Sequence, residues 1–168
     1  VIPIKIHLVN VTYFNLSLEI TAMKTYHTIL VAIDLSKDSA DVVERALSIA
    51  KTHNSTLHIA HVVEPVNMFY NDNIIVDLTS LELEAEQHAR LQLQTYGNRF
   101  QVPESHQHLL LGSPTKKILK LADDLATDLI VVGSHGRSGF SLLLGSTANG
   151  VLHGSKCDVL AVRVVAAG

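Results

Sequence analysis

The residues best suited to chemistry lie between Gly133 and Thr147, in the stretch Gly133-Ser134-His135-Gly136-Arg137-Ser138-Gly139-Phe140-Ser141-Leu142-Leu143-Leu144-Gly145-Ser146-Thr147. Glycine has no Cβ, so its backbone N–H can approach an anion closely and its φ can be positive. Gly145-Ser146 then opens a short helix, whose first N–H groups and dipole favour a phosphate. Ser134, Ser146 and Thr147 add hydroxyl donors and Arg137 a positive charge. His135 sits inside the loop, where its ring can touch phosphate or equally hold a turn. Far upstream, Asp34 follows an apolar run, and a carboxylate there suits ribose hydroxyls, which need an acceptor. Together these residues describe a mononucleotide site. The plain alternative is a glycine-rich turn with a capped helix, kept for close packing. The stretch carries neither GxxxxGK[ST] nor GxGxxG, so spacing alone leaves both readings open.

Other reactive residues give weaker signals. His106 and His108 on one strand would aim both rings to one face, but no third ligand of defined spacing stands out, and solvated histidines are the expectation. His58 and His61, three apart on a strand, face opposite sides. Cys157 is the single cysteine, so no internal disulfide is possible. Lys156 would help its thiolate and Asp158 would oppose it, which favours a structural role. The serine of Gly133-Ser-His-Gly136 lacks the neighbours of a G-x-S-x-G elbow, so a Ser/His hydrolase is not expected. Glu82, Glu84 and Glu86 alternate on a helix and read as a solvated face.

The elements that must position these residues follow from hydrophobic pattern. His27–Ile33 is a nearly continuous apolar run, as expected of a strand buried on both faces. Asp34 to Ser39 breaks it, and Val42, Val43, Ala46, Leu47, Ile49 and Ala50 follow at helical spacing, closed by His53-Asn54-Ser55. Thr56–Val63 is a second strand. Residues 66–77 read as a long loop. Thr79 or Ser80 opens a second helix through Tyr96, with Gly97 as its stop. His106–Leu111 is a third strand. Ser113 can cap a third helix with Pro114 at its first position. Asp128–Val132 is a fourth strand, Ser146 to about His153 a fourth helix, and Asp158–Val164 a fifth strand. Alternation of buried strands and helices predicts an α/β fold: an open parallel five-stranded sheet with right-handed crossovers and helices on both faces. In such sheets ligands bind beyond the carboxyl ends of the strands, near a topological switch point. Asp34, the backbone from His61 to Val63, and the glycine stretch all fall there.

Composition narrows the classes. The 168 residues are 47% hydrophobic and 17% charged, with a formal net charge of −3, which excludes a disordered chain and argues against nucleic acid as a main partner. Aromatics are only 5% and Trp is absent, so the core is aliphatic. Residues 1–22 differ from the rest. Thirteen of these 22 are apolar, but Pro3, Lys5, His7, Asn10, Asn15, Ser17 and Glu19 interrupt the run, against both a secretory signal and a membrane span. Met23-Lys24 follows as a fresh start. Residues 1–22 are therefore expected to be an upstream or non-native extension, poorly ordered, ahead of a domain at 23–168.

From Met23 to Val164 the sequence resembles a universal stress protein of the bacterial type. The residues that carry the resemblance are Ile29-Leu-Val-Ala-Ile-Asp34-Leu-Ser36, His58-Ile-Ala-His-Val-Val63, Gly112-Ser-Pro114, Asp128-Leu-Ile-Val-Val-Gly-Ser-His-Gly136-Arg-Ser-Gly139, Gly145-Ser146 and Cys157-Asp-Val-Leu-Ala-Val-Arg163. The resemblance implies a Rossmann-like fold, a cytoplasmic protein, and a homodimer formed through the last strand, Val159 to Val164. It also implies ATP as ligand, with or without Mg2+, because ATP-binding members carry G-x2-G-x9-G-[S/T]. On this sequence Gly133, Gly136, Gly145 and Ser146 would cradle phosphates, Asp34 would hold the ribose, and the backbone near Val62 would meet adenine. Eight residues, 137 to 144, separate Gly136 from Gly145 where the family pattern has nine, a difference of about 3.5 Å in chain reach. The expected function is a nucleotide-sensing stress regulator that engages a further protein, with slow or no ATP hydrolysis, since no Walker-type lysine or general base is evident. The alternatives are a homodimeric protein that acts through protein contacts without nucleotide, and an adenine-nucleotide hydrolase.

Overall fold

The structure, a computed structural model, describes residues 25–65, 78–134 and 144–163. Five strands, β1 (Thr28–Ala32), β2 (Thr56–Val63), β3 (Gln107–Leu111), β4 (Leu129–Gly133) and β5 (Asp158–Val162), form one sheet. Its order is β3-β2-β1-β4-β5 and every neighbouring pair is parallel. Four helices connect them: α1 (Ser39–His53), α2 (Leu78–Phe100), α3 (Pro114–Asp124) and α4 (Ser146–Gly154). The expected Rossmann-like α/β architecture is present, and the order reverses between β1 and β4.

Strand alternation sorts the core into two layers. Ile29 and Val31 of β1, Leu57 and Ile59 of β2, and Leu129 and Val131 of β4 pack against α1 and α2, through Val43, Ala46, Leu93 and Phe100. The intervening Leu30, Ala60, Val62, Ile130 and Val132 pack against Ile118 and Ala122 of α3 and Ala148 and Val151 of α4. Because both faces are covered, the central strands read as continuous apolar runs rather than alternating ones. At the amino end of the sheet, Asp128 Oδ2 accepts the backbone N–H groups of His27 at 2.7 Å and Thr28 at 2.9 Å. This fastens the start of β1 to the approach of β4.

Some boundaries differ from the sequence expectation. Helix α2 runs past Gly97 to Phe100. Its stop is Gln101, in the left-handed region at φ 57°, and Val102 N–H donates to the Gly97 carbonyl at 2.9 Å, the six-to-one bond of a Schellman end. Gly97 serves packing instead: a Cβ there would collide with the Gln107 side chain. His106 belongs to a short 3₁₀ turn, Glu104–His106, rather than to β3. Ser113 occupies the cap position of α3 and its carbonyl accepts from Lys117 N–H at 3.0 Å, but its side chain makes no capping bond. Strand β5 ends at Val162, before Arg163, and the expected loop at 66–77 and Val164 lie outside the described residues.

Candidate functional site

A cleft of about 770 Å³ opens over the carboxyl ends of β1, β2 and β4. Asp34, Val62, Gly133, Gly145, Ser146 and Thr147 all line it, so the structure brings together six of the ten residues singled out from the sequence. Ser134 follows Gly133 directly in the chain and is not among the residues lining the cleft. Its N–H donates to the Val162 carbonyl at 2.7 Å, and its carbonyl accepts from Gly145 N–H at 2.8 Å. His135, Gly136 and Arg137 lie outside the described residues.

The Ser134–Gly145 bond refines the anion-site reading. The Gly145 N–H is engaged by Ser134 and is not a phosphate donor in this conformation. Gly145 is the cap residue of α4, and its carbonyl accepts the first intrahelical bond from Asn149 N–H at 2.8 Å. The N–H groups of Ser146, Thr147 and Ala148 therefore head the helix, where the geometry of an α-helix gives them no intrahelical acceptor. They and the helix dipole make one wall of the cleft suited to an anion.

A second wall is the turn after β1. Asp34 Oδ1 accepts Ser36 N–H at 3.0 Å and Ser39 Oγ–H at 2.9 Å, so the carboxylate folds its own loop onto the start of α1. Between them Leu35 adopts φ 60°, a conformation unfavourable for a bulky residue. The turn still holds because Leu35 is buried in the α1–α2 core. Tyr96 of α2 fixes the next peptide, its hydroxyl donating to the Ser36 carbonyl at 2.8 Å. Burial pushes the Tyr96 pKa up, so the hydroxyl remains a neutral donor.

The backbone of His61 to Val63 ends β2 at the cleft. The structure adds the buried His61 side chain, whose Nδ1 lies 2.8 Å from the Ile33 carbonyl. His88 and Gln92 of α2 also line the cleft. No local pattern marks these two residues, because they reach the cleft only through the docking of α2 on β2. Three other histidines form a separate cluster. The rings of His106 and His108 both contact that of His58, with centroids 4.4 and 5.2 Å away, and His58 Nδ1 lies 3.0 Å from His108 Nε2. Among the described residues, no group of three His, Cys, Asp or Glu is placed to hold a metal. Cys157 is half-buried, with its Sγ 3.3 Å from Ser155 Oγ, and packs against the α3–α4 core.

Residues 25–163 match the model of the universal stress protein family. The chain belongs to this family. It is 42% identical over 138 residues to universal stress protein A homolog 1 of Coxiella burnetii, a match covering 82% of this chain and 96% of the relative. Among solved structures, universal stress protein UspA from Lactobacillus plantarum superposes with a TM-score of 0.70 at 23% identity, over 84% of this chain and 99% of that one. A universal stress protein solved in complex with cAMP aligns with a TM-score of 0.55 at 30% identity, over 83% and 98%. Among the described residues no helix is long and apolar enough to cross a membrane.

Proposed function

We propose that this universal stress protein binds an adenine nucleotide, ATP by preference, in the cleft between Asp34 and the start of α4. One observation carries the reading: a carboxylate turn and a helix N-terminus face one cleft at the point where strand order reverses, the place where open α/β sheets bind nucleotides. The relative in complex with cAMP supports the same ligand class. Ser146, Thr147 and Ala148 would donate backbone N–H groups to phosphate, Asp34 would accept from ribose, and the backbone at Val62 would meet the base. Gly133, Gly136, Arg137 and His135 would complete the phosphate loop. Any Mg2+ would be carried on the phosphates, since among the described residues no carboxylate set is arranged to hold it. The protein would act as a homodimeric cytoplasmic regulator, occupancy of the cleft biasing which partner it engages. Residues 1–22 would be an extension outside this unit.

The test is direct. The purified protein is heated, and any released small molecule is identified by mass spectrometry. Bound ATP or ADP is expected, and titration calorimetry should then show ATP binding that Gly136→Val abolishes by filling the phosphate space. An empty site with no heat at millimolar ATP would overturn the reading and leave the protein-contact alternative.

A further inference from the structure

Ile33, the residue before Asp34, is held by β2 through both its N–H and its carbonyl. Ile33 N–H donates to the Ala60 carbonyl at 3.0 Å, as the parallel ladder requires. The Ile33 carbonyl has left the ladder and meets a side chain instead, His61 Nδ1 at 2.8 Å. A carbonyl oxygen can only accept, so Nδ1 carries the hydrogen. The neutral Nδ1–H tautomer and the imidazolium both keep this bond. His61 is only 8% exposed, and in such a place a carbonyl stripped of its donor has little water to replace it.

The consequence falls on Asp34. The Ile33 carbonyl belongs to the peptide plane that joins Ile33 to Asp34, so fixing its direction fixes the plane from which the Asp34 side chain departs. From there the turn is determined step by step. Asp34 Oδ1 takes Ser36 N–H and Ser39 Oγ–H, Leu35 goes left-handed at φ 60°, and Tyr96 closes the far side on the Ser36 carbonyl. A turn with a strained residue at its centre keeps its shape only when its surroundings over-determine it. His61 supplies the restraint at the strand end and Tyr96 the one at the helix end.

We propose that His61 is a positioning residue that aims the Asp34 carboxylate and so sets preference for a ligand with ribose hydroxyls. This inference rests on the nucleotide reading above. It makes a claim that a merely structural histidine would not meet. Loss of the Nδ1 donor should weaken binding of a nucleotide that bears 2′- and 3′-hydroxyls, and should spare one that lacks both.

The experiment is calorimetry with ATP and with 2′,3′-dideoxy-ATP on the full chain and on His61→Phe and His61→Asn. Phenylalanine keeps the ring shape and removes the donor. Asparagine places an amide nitrogen where Nδ1 stood. The unaltered protein is expected to prefer ATP over the dideoxy compound by about tenfold, the worth of one good hydrogen bond. His61→Phe should lose that preference while holding dideoxy-ATP within about twofold, and His61→Asn should recover most of it. Equal loss of both nucleotides in a folded His61→Phe, or an unchanged preference, overturns the proposal. Should His61→Phe fail to fold, His61→Asn decides: a folded Asn variant without the preference overturns the proposal, and one that keeps it supports the donor role. If the unaltered protein binds neither nucleotide, the nucleotide reading itself fails, a result distinct from binding without discrimination.

Discussion

At the residue scale, the three imidazoles of His58, His106 and His108 have the clearest measurable consequence. His58 is lowered from 6.5 to about 4, first by burial and then by the nearby charges that His106 and His108 would carry. His108 moves in the same direction, again mainly through burial. The sign follows from proton counting. Above pH 6.5 both folded and unfolded chains hold a neutral His58. Between 6.5 and 4 the unfolded chain takes up a proton that the folded one refuses, so stability falls as pH falls. Below about 4 both states are protonated and this contribution is flat. Thermal melts at pH 7 and pH 5 should show a larger fall in Tm for the unaltered protein than for His58→Leu, by about 2–4 °C for each kcal/mol of the difference. Equal falls would place the acid sensitivity elsewhere. The sequence did not indicate this cluster, because His58 meets His106 and His108 only once β2 and β3 are known to be neighbours. The spacing of His106 and His108 was visible; the third ring was not.

At the element scale, the position of α4 relative to α3 decides where the N–H groups that head α4 point. The two helices approach through Gly150 and Gly154. A Cβ on Gly150 would sit 2.7 Å from Thr115 Oγ1 and 2.8 Å from its Cγ2. Thr115 is β-branched, so rotation about χ1 exchanges one close atom for another and gives little relief. Gly150→Ala therefore sets a helix-propensity gain of about 1 kcal/mol against an overpacking cost of about 1–3 kcal/mol. Chemical denaturation should show a net loss of up to about 2 kcal/mol, and Thr115→Ala in the same chain should restore it. A stable Gly150→Ala single variant would mean that the helices can separate without cost. The elements themselves were largely legible. The Thr56–Val63 run became β2 residue for residue, since apolar residues on both faces, interrupted only by His58 and His61, mark a strand covered on both sides. The end of α2 was not legible. Gly97 looks like a stop, but its missing side chain makes room for Gln107 of a neighbouring strand, a tertiary demand that local pattern cannot express. The candidate site followed the same division. Asp34, Gly133 and Gly145-Ser146 were readable because turn and helix-start chemistry is local, whereas His61, His88 and Gln92 depend on which helix covers which strand end.

At the scale of the whole molecule, a net charge of −3 offers no general attraction for a phosphate, so any anion site must rely on local dipoles such as those heading α4. The same scale raises the question of the sheet's open side. In the order β3-β2-β1-β4-β5, strand β5 pairs only with β4 among the described residues. Asp158 and Ala161 are exposed and Val159, Leu160 and Val162 are half-buried. A strand with an unpaired edge and apolar side chains invites pairing with another chain, and a second copy of itself is the partner proposed here. Such a pairing would lie close to the site, since Val162 accepts the Ser134 N–H and Ser134 holds Gly145. Sedimentation velocity should give a dimer, twice the 18.3 kDa of the chain. Val162→Glu should convert it to monomer. Val162 also packs on the α1–α2 core, so Ala161→Glu, at an exposed position, separates loss of assembly from loss of fold: a folded, monomeric Ala161→Glu protein is expected. Dimers that persist in both variants would move the interface away from β5.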